Sequence, residues 1–309
     1  MASDKDIDRA TDAMRAITAE SGSVDTPLPA TSSWRLAAFM RDRVALSAAI
    51  FLATVCLVVI LAPLISPYSP NTAINQLRFA PPLTHGHVLG MDEQGRDMLS
   101  RLIWGGRVSL IVGILPVALA TGIGLLLGLL AGYAGGLPDQ IIMRTLDVLF
   151  AFPMVLLAIA IAGVLTPGYG TEIIAITIVL VPYVGRLART ATLSITAMPF
   201  IEAARAAGAS RSALLLRYIT PNVLPALLVY ATTLVGLMIV VGSGLSFLGL
   251  GVQPPTADWG TMVSEGRSVL SAAPHVTFLP GLVIVVVSLA FNFLGDGLRD
   301  ALDPRSARR

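Results

Sequence analysis

Residues 108–138 read VSLIVGILPVALATGIGLLLGLLAGYAGGLP, without one Asp, Glu, Lys or Arg. A helix that crosses the hydrocarbon of a bilayer needs about 20 mostly apolar residues, and this stretch supplies more. It does not stand alone. Residues 44–77, 148–171, 218–257 and 268–295 are equally free of charge, and a shorter run covers 173–185. Only 13% of the 309 residues are charged and 55% are hydrophobic, where a soluble domain carries about 25% charged residues. So many long uncharged windows exclude a soluble globular protein. They predict an all-α polytopic membrane protein with six transmembrane helices, at about 44–65, 108–133, 146–164, 172–187, 223–241 and 277–294.

The segments between the spans carry the charge. Residues 1–43 form a polar head with few large apolar residues, expected to be disordered over 1–33, with Trp34, Arg35, Arg41 and Arg43 as an interfacial anchor. The head is too long, and the run after it too extended, for a cleaved signal peptide. Residues 66–107 form a loop containing Pro67, Pro70, Pro81 and Pro82. In its latter part, 94–107, Leu99, Leu102 and Ile103 recur at helical spacing among Arg96, Asp97, Arg101 and Arg107, the pattern of a short amphipathic helix in the interface. With the N-terminus inside, 16 of the 21 Lys and Arg fall on the inner side, so both termini are expected inside and the 66–107 loop outside. The net charge of +2 by itself says nothing about nucleic acid, because the basic residues sort by loop and form no single face, and no nucleic-acid partner is expected. The lone Cys56 excludes an intramolecular disulfide.

Two patterns stand out. Gly124, Gly128 and Gly132, followed by Gly136, recur every fourth residue along the second span. This spacing makes a groove that lets a neighbouring backbone approach closely, although glycine is enriched in membrane helices generally. The second pattern is the polar segment between spans four and five, 196–222. Pro199 suits the first turn of a helix, Glu202 complements its dipole, and Ala203, Ala204 and the alanines around Arg205 favour it. Gly208 suits its C-terminal cap, and Ser210 can cap a second helix that Pro221 and Pro225 close before span five. The expectation is a compact helical hairpin presenting Phe200, Glu202 and several arginines. It serves either as a docking element or as a solvated loop whose Glu stabilises its own helix.

At Glu202-Ala203-Ala204, Gly208 and Pro221-Asn-Val-Leu-Pro225 the chain resembles the EAA loop of type-1 ABC-importer permeases. The wider resemblance, over about 44–304, is to the C-type permeases of dipeptide and oligopeptide importers. It is carried by His87-Val-Leu-Gly-Met-Asp92, Gly95-Arg-Asp-Met-Leu-Ser-Arg-Leu102, Ala131-Gly-Tyr-Ala-Gly-Gly136, Leu245-Ser-Phe-Leu-Gly-Leu-Gly251, Trp259-Gly260 and Asn292-Phe-Leu-Gly-Asp-Gly-Leu-Arg-Asp-Ala-Leu-Asp-Pro304. The resemblance implies a bacterial inner-membrane subunit in which spans 2–6 form the permease core, and 298–309 a cytoplasmic tail. It also implies an external solute-binding protein, a homologous second permease, and ATPase subunits that bind the ATP, so this chain needs no cofactor of its own. The hairpin would insert into a cleft on the ATPase and transmit its closure. Gly242, where such permeases usually carry Glu, and His275, where an aromatic is common, depart from the pattern.

Other chemistries find less support. A phosphate-cradling loop needs a Lys after its glycines, and the only Lys is Lys5, so the chain is not expected to be an enzyme. His85-Gly-His87 lacks a third ligand nearby for a metal, although nickel importers share this architecture. Ser243 and Ser246 lie in a glycine-rich stretch, but with His275 as candidate base they meet no protease motif. Asn292 lies within span six, where it can bond a neighbouring helix or simply pack, and Asp147 and Asp296 lie near inner ends. An ion- or proton-coupled secondary transporter is the rival class. It should show charges at mid-bilayer and internal repeats, and neither is evident.

Overall fold

The computed structural model describes residues 39–302. The disorder expected over 1–33, Trp34, Arg35 and residues 303–309 lie outside them. Among the described residues every regular element is helical. Helix α1 (Arg43–Ile60) starts on Asp42, whose carboxylate accepts from Val44 N and Ala45 N at 2.9 and 3.2 Å, satisfying donors that have no partner within the helix. Helix α2 (Ala62–Ile65) is a single turn with Pro63 at its start.

Helix α3 (Met98–Ala134) is 37 residues long, about 55 Å at 1.5 Å per residue, well beyond the ~30 Å of bilayer hydrocarbon. It takes in most of the segment expected as a separate interfacial helix over 94–107. Nothing interrupts the hydrogen-bond ladder there. Asp97 caps the start through Ser100 N at 2.7 Å, and Gly105 and Gly106 continue the helix because Asp258 and Trp259 pack directly on them.

Helices α4 (Gly136–Phe150) and α5 (Met154–Val164) meet at 86° around Pro153. The sequence predicts one kinked span over 146–164; the structure instead bends the chain sharply, with α4 beginning near the end of α3. Helix α6 (Tyr169–Thr196) follows, then α7 (Pro199–Ala206) and α8 (Arg211–Ala213). A π-helical stretch, Leu214–Ile219, joins α8 to α9 (Thr220–Phe247). Helices α10 (Trp259–Gly266) and α11 (Pro274–Leu302) complete the described chain.

Close contacts fix the directions. Gly124 lies against Val184, Gly128 against Ala188 and Gly132 against Thr192, so both numbers rise together and α3 and α6 run parallel. The α4–α5 pair must therefore carry the chain back between them. Gly113 meets Ile239 while Gly242 meets Val112, and Gly295 meets Thr233 while Gly236 meets Ser288, so α9 is antiparallel to both α3 and α11. Among the described residues five helices are long and apolar enough to span a membrane, and the count is six where the bent pair is taken as one broken span. Gly297, near the end of α11, touches Ala45 at the start of α1. Both ends of the described chain thus emerge at the end of the bundle that carries α7 and α8.

Candidate functional site

The hairpin between α6 and α9 is built as two faces. Ile201, Leu214 and Ile219 are fully buried, each burial contributing roughly 1.5–3 kcal/mol, and α7 packs against the π-helical stretch and the stretch against α6. The opposite face is open. Phe200 is 41% exposed and Leu216 66%, and Glu202, Ala203, Arg205, Gly208, Arg211, Arg217 and Pro221 are exposed, with Ala204 and Pro225 half-buried. The turn between the helices is a Schellman motif: Gly208 N donates to Arg205 O at 3.0 Å and Ala209 N to Ala204 O at 3.1 Å. Gly208 takes φ +85° there, a conformation that glycine adopts without a Cβ penalty. Ser210 caps α8 through Ala213 N. Glu202 is exposed and makes no hydrogen bond or ion pair among the described residues.

Pro221 and Pro225 do not close a helix before span five. The chain runs helically from Arg211 to Phe247. The wider π turn accommodates Pro221, which has no N–H to donate, and Thr220 Oγ1 bonds Leu215 O at 2.8 Å across it. Span five therefore grows directly out of the hairpin.

The three spaced glycines sit on the seam between α3 and α6. A Cβ at Gly124 would stand 2.8 Å from Val184 Cβ, at Gly128 2.7 Å from Arg189 N, and at Gly132 2.8 Å from Thr192 Cβ. Gly136 has open space around it, since it lies beyond the end of α3. Elsewhere Ser288 Oγ donates to Gly236 O of α9 at 2.6 Å, while Asn292 bonds Ser288 O within its own helix. Gly242 is buried against Val112 Cγ1, 2.6 Å from where its Cβ would be, so a larger residue there would need the helices to part.

A family profile described as "Binding-protein-dependent transport system inner membrane component" matches residues 124–308, and one described as "N-terminal TM domain of oligopeptide transport permease C" matches residues 32–82. The chain belongs to this permease family. The permease is 46% identical over 274 residues to the "Glutathione transport system permease protein GsiD" of Escherichia coli O6:K15:H31, covering 88% of this chain and 89% of that protein. It is 42% identical over 272 residues to the protein of the same name from Pectobacterium atrosepticum, covering 88% and 90%. Among solved structures, the inward-facing MetNI methionine ABC transporter superposes with a TM-score of 0.55 at 19% identity, over 67% of the permease and 98% of that chain. An amino acid ABC transporter solved with histidines gives 0.51 at 19% identity, over 64% and 92%. The fold is that of a type-1 ABC-importer permease in the inner membrane.

At the end of the bundle opposite the hairpin, the permease holds a buried charge cluster that sequence reading missed. Arg101 is 0% exposed; its Nη2 donates to Glu265 Oε2 at 2.9 Å, and Arg96 Nη2 donates to the same oxygen at 2.8 Å. Arg96 Nε also donates to Asp92 Oδ2 at 2.6 Å, and Arg101 Nε lies 3.3 Å from it. These side chains were expected as the wet face of an interfacial helix; the cluster instead clamps the 66–97 loop onto α3 and α10. A separate buried pair is formed by His87 Nδ1 and Asp97 Oδ1, 2.8 Å apart. Glu172, buried at the start of α6, accepts from Ser246 Oγ at 2.9 Å, and Asp258 accepts from Ser109 Oγ at 2.6 Å. The available signal was the run of paired opposite charges around 92–101 in a chain so poor in charge.

Proposed function

We propose that this permease carries small peptides through an ABC importer and takes its power stroke from a separate ATPase through the hairpin at 199–217. One observation carries the reading: the hairpin is anchored by buried Ile201, Leu214 and Ile219 while Phe200, unpaired Glu202, Arg205 and Leu216 face outward. An exposed apolar residue beside an unspent carboxylate suits a protein partner, and the continuous helix into α9 offers a rigid route from that partner to the bundle. ATP is bound by the partner subunits, and the chain is a translocation subunit that catalyses no reaction.

The hairpin end of the bundle, with both chain termini, faces the cytoplasm, in keeping with the excess of basic residues there. The clamped 66–97 loop then faces the extracytoplasmic side, where a solute-binding protein delivers cargo, and a homologous second permease completes the pathway within the lipid bilayer. The peptide assignment is supported by the glutathione permeases that share most of the permease's length.

The test is purification of tagged permease from its native membrane with its associated proteins, followed by ATPase and uptake assays with glutathione, dipeptides and nickel ion. The expected result is an ATPase and a second permease in the complex, and peptide uptake that Glu202→Lys abolishes while the protein still inserts. Purification without an ATPase, or uptake unchanged by Glu202→Lys, would overturn the reading.

A further inference from the structure

Three of the uncharged runs stop at one cleft. Asp139 is the first charge after 108–138, Asp147 the last before 148–171, and Arg186 the first after 173–185. The cleft between α4 and α6, of about 500 Å³, is lined by all three together with Arg144 and Arg189. Because apolar spans end there, it lies at the boundary between hydrocarbon and water. Arg189 grips Asp139 with Nε and Nη2 at 2.5 and 2.6 Å. Arg186 donates Nη2 to Asp147 at 2.6 Å and lies over the Phe150 ring, 3.8 Å from its centroid.

Each guanidinium carries five N–H donors, so both keep donors that the aspartates do not use. Arg144 makes no ion pair among the described residues. It also sits in an unusual stripe. Leu137, Ile141, Arg144 and Val148 are spaced i, i+4, i+7 and i+11, one face of α4. Leu137 is 71% exposed, and Ile141 and Val148 are each 64% exposed. An unpaired cation within an exposed apolar face, at the depth where spans end, matches a lipid: fatty chains against the stripe and an anionic head at the arginine.

We propose that this cleft binds the phosphate of an anionic phospholipid headgroup, with Arg144 as its unpaired cation and the remaining N–H groups of Arg186 and Arg189 as further donors. The site ties a lipid to α4, the helix that leads into the 86° bend, and is separate from the hairpin's outward face.

The test uses the full-length permease with its copurifying subunits, reconstituted in nanodiscs of phosphatidylcholine with or without phosphatidylglycerol. Native mass spectrometry reads the phospholipid retained after release. The wild type is expected to retain phosphatidylglycerol in preference to phosphatidylcholine. Arg144→Gln should lose about fivefold of that preference, the ~1 kcal/mol that one basic residue contributes at an anionic surface. Arg144→Lys should keep most of it, and Asp147→Asn, which frees Arg186, should strengthen it. Equal retention of the two lipids, or equal preference in wild type and Arg144→Gln, overturns the proposal. So does inorganic phosphate displacing phosphatidylglycerol at millimolar concentration, which would make free phosphate the ligand, or a partner subunit cross-linking to the Leu137–Ile141–Val148 face.

Discussion

Replacing Gly128 with Ala adds one methyl group where α3 and α6 are closest. The new Cβ would stand 2.7 Å from Arg189 N and from Gly185 O, and tighter still against Ala188 Cβ, where ordinary contacts begin near 3.4 Å. Two of the three neighbours are backbone atoms, so no rotamer change relieves the clash and the helices must move apart by roughly 0.7 Å or more. Overpacking of this kind costs about 1–3 kcal/mol. Alanine's better helix propensity returns about 0.5–1 kcal/mol, which obscures the seam if Gly128→Ala is measured alone. Gly122→Ala removes the ambiguity: the same substitution in the same helix, at an exposed position with nothing within 4 Å. The propensity gain is common to both, so Gly128→Ala should be less stable than Gly122→Ala by about 1–3 kcal/mol, the steric cost alone. The assay is reversible unfolding in mixed micelles titrated with dodecyl sulfate, read through the fluorescence of buried Trp259. Equal unfolding midpoints for the two variants would refute the close parallel packing of α3 on α6.

Three further outcomes are expected. Glu265→Ala leaves Arg96 and Arg101 sharing Asp92 alone, and breaking a buried pair in this way should cost about 3–5 kcal/mol in the same titration; a midpoint within error of wild type would mean that the clamp contributes nothing. Ser288→Ala removes the 2.6 Å bond to Gly236 O and should cost only about 0.6 kcal/mol, the average for interhelical side-chain bonds in a membrane; a loss above about 2 kcal/mol would show the bond acting as more than packing. Gly208→Pro removes the donor to Arg205 O and cannot take φ +85°, whereas Asn tolerates that region. Uptake per ATP hydrolysed should therefore collapse with Gly208→Pro and largely survive Gly208→Asn, and identical ratios would count against a rigid hairpin.

The hairpin was legible because its signals are local. Pro199 at a helix start, Gly208 at a helix end and Ser210 at the next cap are each decided by the backbone within a few residues. Pro221 and Pro225 misled because a proline's local preference is to end a helix, while here a π turn and the Thr220 hydroxyl accommodate the missing donor. Arg96 and Arg101 misled for a different reason. Helical spacing among apolar residues is shared by a wet amphipathic helix and by a buried one whose charges have partners far away in sequence. Glu265 lies 164 residues from Arg101, and no local pattern announces it.

The sequence alone determined that the chain is a helical membrane protein, because excluding charge from a 20-residue window is an energetic demand of hydrocarbon that nothing else in a protein this size imposes. It also determined where the polar hairpin lies and how its turn is made. Tertiary structure decided which charges are buried, which helices run parallel and how sharply the third crossing bends at Pro153. Burial of a charge depends on a partner brought in by the fold, and parallel packing of α3 on α6 depends on the α4–α5 pair returning the chain between them. Both are relations between segments far apart in sequence, set by contacts that no single stretch of the chain contains.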